Sequence, residues 1–144
     1  MIIREIEKRD YDEWRALWKS YLAFYNTTVT QDVYELTFRR LIERQTSQQM
    51  AFLAEKDDQL VGLVHYIRHP HNWKLEHVIY LQDLFALPEV RGQGVGRALI
   101  EAVYDAADKM GCPSVYWLTQ ENNETARRLY DRVATVSDFI KYNR

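Results

Sequence analysis

A single cysteine, Cys112, stands among 144 residues, which excludes an intramolecular disulfide framework and a cysteine-rich zinc centre. No apolar run reaches the roughly 18 residues that a membrane-spanning helix needs. The opening Met1-Ile-Ile-Arg-Glu-Ile-Glu-Lys-Arg is charged where a signal peptide would be apolar, so a cytoplasmic chain with no membrane partner is expected. Charge of one sign is missing too: 19 Lys plus Arg against 21 Asp plus Glu leave a net charge of −2. No bulk positive field therefore draws the protein to nucleic acid, although a local basic patch remains compatible with that total. Only three prolines and five glycines punctuate the chain, and no linker, repeat or low-complexity stretch divides it. What is present, 47% hydrophobic and 13% aromatic residues, suffices to bury the core of one domain spanning residues 1–144.

Periodicity then gives the order of elements. Residues 2–6 read as a short strand, and Asp10 with Glu13 has the spacing of a capping box ahead of a helix. Trp14, Leu17, Trp18, Tyr21, Leu22 and Tyr25 fall on one face of that helix. A second helix opens at Thr30 and packs through Tyr34, Phe38, Leu41 and Ile42. The runs 50–55 and 60–67, separated by Lys56-Asp57-Asp58-Gln59, predict an antiparallel hairpin. A longer strand from Val78 stops before Pro88. Val95, Leu99, Val103, Ala106 and Met110 form the stripe of the clearest helix, which Gly111 and Pro113 end. Residues 114–119 read as a buried strand, Asn122 as the cap of a last helix, and 139–142 as a final short strand. The order predicts an α/β fold of the α+β kind, a mixed and largely antiparallel sheet with helices on its faces.

The stretch Arg91-Gly92-Gln93-Gly94-Val95-Gly96 lies between a strong strand and a strong helix. Its glycines let the backbone turn tightly and present N–H groups, and the helix start adds partial positive charge, which makes an anion cradle. A P-loop is excluded because no Gly-Lys-Ser/Thr follows, and a dinucleotide fingerprint because Arg97 stands where the third glycine belongs. The structural alternative is a turn whose glycines serve only close packing.

At this loop the sequence resembles the GCN5-related N-acetyltransferase (GNAT) family, whose signature Gln/Arg-x-x-Gly-x-Gly/Ala is met by Arg91, Gly94 and Gly96. The likeness extends through Asp83-Leu84-Phe85-Ala86-Leu87-Pro88 before the loop and Asn123-x-x-Ala126-x-x-Leu129-Tyr130 after it. Within the family, residues 104–120 look most like a small histone-acetyltransferase-like subgroup whose members accept histones, polyamines or amino acids. The resemblance implies acetyl-CoA as co-substrate and no metal. It places the pyrophosphate on backbone N–H groups from Gly92 and Gln93 through Val95 to Arg97, with the pantetheine arm beside the strand that ends at Leu84, Phe85 and Ala86. An N–H near Leu84 or Phe85 would hold the thioester carbonyl.

The same resemblance gives Tyr130 the role of protonating the departing thiolate, against the alternative of a tyrosine that anchors its helix to the core. It gives Asn123 a contact to the coenzyme, against a plain helix cap. Several relatives carry a base where this chain has Gln82, which cannot take a proton in this role. Asp83 is the neighbouring carboxylate, but alternation sends it to the opposite face unless a bulge re-aims it; Glu121 and ordered water are rivals. Cys112 reads as packing, the four histidines lack metal-ligand spacing, and Phe24 and Tyr25 could wall an acceptor pocket. The short end, 137–144, leaves room for a homodimer in which another subunit completes the final strand. The implied activity is acetyl transfer to a small amine or amino acid, or to a protein lysine. The rivals are a non-catalytic acyl-CoA-binding module and, last, a nucleic-acid-binding domain resting on Arg39-Arg40 and Arg127-Arg128 alone.

Overall fold

In the computed structural model, which describes residues 1–144, the chain builds one five-stranded sheet in sequential order. The strands are β1 (Ile2–Glu5), β2 (Gln49–Lys56), β3 (Gln59–His69), β4 (Val78–Ala86) and β5 (Val115–Tyr116). The first four pair antiparallel and β4–β5 is parallel, the mixed arrangement expected. Helices α1 (Tyr11–Phe24), α2 (Gln31–Ile42) and the single turn α3 (Arg44–Ser47) precede β2; α4 (Val95–Lys109) and α5 (Glu124–Val133) flank β5.

The sheet divides the core into two layers. On one face Trp14, Leu17, Trp18, Leu22, Tyr34 and Leu41 of α1 and α2 bury against Leu53, Leu63 and Phe85. On the other, Val95, Leu99, Ile100, Val103 and Ala107 of α4 bury against Ala54, Val64, Tyr66, Ile79 and Leu81. Such layers, with apolar side chains removed from water at about 25 cal/mol per Å², supply the main driving force of folding. The β2–β3 hairpin turns through Asp57 and Asp58, both at positive φ, as a two-residue hairpin turn matched to strand twist requires.

Four expectations are corrected. Asp10 does not cap α1 with Glu13: its carboxylate takes both guanidinium nitrogens of Arg4 at 2.8 Å and the Glu7 N–H at 2.7 Å. Glu13 instead accepts the Leu60 N–H at 3.2 Å. The last helix is capped at Asn123, one residue after Asn122. No strand forms at 139–142; α5 gives way at Ala134 to extended backbone, and Val136, Phe139, Ile140 and Tyr142 lie exposed. Strand β5 is also shorter than the predicted 114–119, and that shortness opens the site.

Candidate active site

β5 pairs with β4 only at Ile79–Val115 and Tyr80–Tyr116. Beyond Tyr80 the second edge of β4 has no strand beside it, so its backbone groups face a gap. Their direction follows from one bond: Leu87 donates its N–H to Val61 O at 2.9 Å, toward β3. Strand alternation then turns Phe85 N–H toward β3 as well, and Leu84 and Ala86 N–H toward the gap. Of the two N–H groups expected near a carbonyl, Leu84 is therefore the free one, and Phe85 belongs to the ladder.

The gap opens into a cleft of about 710 Å³ between the ends of α1, α4 and α5, within the usual range for a ligand site. Leu84, Phe85, Ala86, Arg91, Gly92, Gly94, Val95, Gly96, Arg97, Asn123 and Tyr130 all line it. The structure thus gathers most of the sequence-predicted residues in one place. Gly92 and Gly94 sit at φ +80° and +81°, and a Cβ built on either would meet nothing within 4 Å. Those two positions need glycine for their backbone conformation. Gly96 differs: a Cβ there would lie 3.3 Å from Leu129 Cδ2, so this glycine lets α5 approach the start of α4. The packing alternative thus holds for one of the three glycines.

Two predicted residues lie outside the cleft. Gln93 turns away, accepting Lys56 Nζ at 2.7 Å and donating to Glu89 O at 3.3 Å. Asp83 is buried behind the cleft wall. The β3–β4 register shifts between His65 and Tyr66, pairing His65 with Asp83 and Tyr66 with Leu81. Gln82 is the extra residue of this bulge and is exposed, and Asp83 is re-aimed onto the α1 side.

The cleft carries a charge bias that composition hid. Arg91, Arg97, Arg128 and Arg132 line it, and no acidic residue does. Arg91 donates to Ala86 O at 3.3 Å and lies 5.7 Å from the Phe24 ring centre, while Arg97 pairs with Glu101 at 2.9 Å. Arg128 and Arg132 escaped the sequence reading as site residues, although their four-residue spacing puts them on one helix face with each other. Tyr21 escaped it too, because a tyrosine in an aromatic helical stripe reads as core. Asn123 donates to Thr119 Oγ1 at 3.4 Å. The Tyr130 ring packs edge-on against Trp117 with centroids 5.4 Å apart, and burial, with the nearby Tyr25, pushes its hydroxyl up to about 12. That hydroxyl stays protonated at any ordinary pH and can donate.

Known proteins share this plan. The family model described as Acetyltransferase (GNAT) family matches residues 11–134. The D-amino-acid N-acetyltransferase HPA3 of Saccharomyces cerevisiae is 38% identical, covering 100% of this chain and 90% of the relative. A thialysine N-epsilon-acetyltransferase of Bos taurus is 35% identical over 71 residues, 49% of this chain and 41% of the relative. The structure of AAC(6')-Iy in complex with the bisubstrate analogue CoA-S-monomethyl-acetylneamine superposes with a TM-score of 0.86 at 21% identity, covering 99% of this chain and 96% of that one, which shows the fold. With the signature loop seated between β4 and α4 and the family model spanning both sheet layers, the chain belongs to the GNAT acetyltransferase family and is an N-acetyltransferase.

Proposed function

We propose that the chain, acting as one catalytic domain, transfers an acetyl group from acetyl-CoA to a primary amine by direct attack in a ternary complex. A small amine or amino acid is favoured over a protein lysine. The observation that carries this reading is the unpaired edge of β4, with Leu84 and Ala86 N–H turned into a cleft whose far end is a glycine cradle ringed by arginines. The fit to acetyl-CoA rests on that cradle: open space at Gly92 and Gly94, a helix N-terminus and four guanidinium groups match a phosphorylated, elongated ligand. Acetyl-CoA, when bound, supplies an acetyl group activated as a thioester.

The chain's own residues divide the remaining work. Backbone N–H groups at the start of α4, with Arg91 and the α5 arginines, bind the phosphates. Leu84 N–H polarises the carbonyl, an oriented donor that requires no reorganisation during reaction. Tyr130 Oη holds the proton that the departing sulfur takes up, and Asn123 orients the same end of the ligand. The base is Asp83, which the β4 bulge turns to the α1 side. Names of relatives support the acceptor class: one acts on D-amino acids and another on thialysine. The exposed apolar tail at 134–144 supports a homodimer in which this segment packs on a second copy. A buried, unpaired Cys112 suits a reducing cytoplasm.

An amine panel assayed by free-thiol release tests the reading. Thiol release that depends on one class of amine supports it. Tight acetyl-CoA binding with no turnover across the panel would instead make the protein an acyl-CoA-binding module.

A further inference from the structure

A buried polar chain runs through the otherwise apolar layer between α1 and the sheet. Asp83 Oδ2 accepts the Nδ1–H of His65 at 2.8 Å and the indole N–H of Trp18 at 3.2 Å. His65 Nε2 in turn accepts the indole N–H of Trp14 at 3.0 Å. Because Nε2 is an acceptor, the ring is the neutral tautomer with its hydrogen on Nδ1. The pair is a carboxylate held by a neutral imidazole, not an ion pair. The chain also ends blind: Trp14 is completely buried, and an indole donates but cannot accept, so His65 has no partner to which it could pass a proton.

The open end lies at the other oxygen. Asp83 Oδ1 takes part in none of these bonds, and Tyr21, a residue that lines the cleft, has its hydroxyl near the same carboxylate. Burial alone would raise Asp83, but its contacts with His65, above all the hydrogen bond at Nδ1, and with the neighbouring Tyr21 and Trp18 outweigh it and hold the carboxyl below its ordinary range. The groups facing Asp83 are thus His65 from β3, Trp18 and Tyr21 from α1, Tyr25 just beyond α1, and Tyr80 from β4 itself.

We propose that Tyr21 and Asp83 form the seat of the acceptor nitrogen, Tyr21 touching it, and that His65 is a positioning residue that aims the carboxylate at Tyr21. The inference deepens the acetyl transfer proposed above and rests on it. It fixes the acceptor as an amine that arrives as a cation and docks against the packed Tyr21–Tyr25 pair, whose ring centres are 5.2 Å apart, with the Asp83 anion behind the Tyr21 hydroxyl. An N–H proton of the docked ammonium first passes to Tyr21 Oη while the tyrosine's own proton passes to the Asp83 carboxylate, which frees the nitrogen lone pair to bond to the acyl carbon. That bond makes a second N–H acidic; as the thiolate is expelled, Tyr130 Oη gives its proton to the sulfur, and the second N–H proton restores Tyr130 through cleft water. Tyr21 is regenerated, Asp83 ends as the carboxylic acid, and its proton returns through Tyr21 to cleft water after the product leaves.

The test compares His65→Leu with His65→Asn and adds Tyr21→Phe, all in the full-length protein. Both His65 variants strip Trp14 of its acceptor, so they share that structural cost. Only Asn keeps an amide N–H near the position of Nδ1. His65→Leu is expected to lower kcat/KM for the amine by about 30-fold or more, a part of the roughly 10² to 10⁴ that a general base supplies. Its acid limb should move to higher pH, because Asp83 loses a bond that favours its anion. His65→Asn should recover most of the rate and the wild-type pH profile. Tyr21→Phe, which removes one cleft-facing hydroxyl, should raise the amine KM and lower kcat together by about tenfold or more. Acetyl-CoA affinity should stay unchanged in all three. Equal rates and unshifted acid limbs in the two His65 variants, or wild-type kinetics in Tyr21→Phe, would overturn the seat. If His65→Leu does not fold, Tyr21→Phe alone decides. A wild type that releases no thiol with any amine overturns the transfer itself, whereas an active wild type with indifferent variants overturns only the seat.

Discussion

Gly94→Ala isolates the phosphate cradle from the fold that carries it. Gly94 sits at φ +81°, and an added Cβ meets no atom within 4 Å, so the cost to the free protein is conformational. Holding an L-residue in the left-handed region costs about 1–2 kcal/mol. At about 2–4 °C per kcal/mol for a domain of this size, the melting temperature should fall by about 2–8 °C with the fold intact. On the proposed reading, the same Cβ would project into the space that the phosphates of acetyl-CoA take. Wild type with acetyl-CoA at about 100 times its dissociation constant gains about 2.7 kcal/mol. Gly94→Ala should keep only part of that gain and the bulkier Gly94→Val none. Gly96→Ala is the control: its Cβ meets Leu129 Cδ2 at 3.3 Å, a contact the side chain relieves by a small shift, so acetyl-CoA should still protect it. Thermal melts and calorimetric titration of the four proteins read this directly. Gly94→Val binding acetyl-CoA like wild type would place the pyrophosphate elsewhere and refute the cradle.

Tyr130→Phe should leave acetyl-CoA affinity within about twofold and lower kcat by about 10² to 10⁴. Because burial pushes the hydroxyl up to about 12, wild-type kcat should show no alkaline fall from this residue below about pH 10. A loss under about threefold, measured on the thiol-release burst, would make Tyr130 structural. Gly62→Ala places a Cβ 2.8 Å from Val95 Cγ1 and 3.0 Å from Phe85 O. Overpacking of this kind costs about 1–3 kcal/mol, and an unchanged melting temperature would contradict the close approach of α4 to β3. Truncation after Ala134 removes Val136, Phe139, Ile140 and Tyr142; sedimentation should then change from dimer to monomer, and equal masses would exclude the tail from the interface.

The glycine loop was legible because its signal is local. Only glycine takes positive φ without strain, so Gly92 and Gly94 mark their own conformation. The alternation of 50–55 and 60–67 and the α4 stripe were legible for the same reason, each reporting one buried face. Asp83 was not legible. Alternation aims it at one face, and the bulge that re-aims it depends on register with β3, a partner 18 residues away. His65 sits in an apolar run, and its spacing excludes only a metal site; only the fold brings Trp14, Trp18 and Asp83 to it. The segment 139–142 has the composition of a strand but finds no neighbouring strand within the chain. Asp10 illustrates competition: the capping spacing was present, but the Arg4 guanidinium offers a charged, bidentate partner that a helix N–H does not match.

The central claim is direct transfer from acetyl-CoA to the amine with no acetylated protein on the way. A single-turnover experiment with carbon-labelled acetyl-CoA in slight deficit over enzyme, quenched on the millisecond scale and resolved by mass spectrometry, tests it. Label should pass to the amine at the rate of thiol release, one for one, and the protein mass should stay unlabelled throughout, including at Cys112. Label appearing first on the protein, or thiol released without labelled amide, would contradict it.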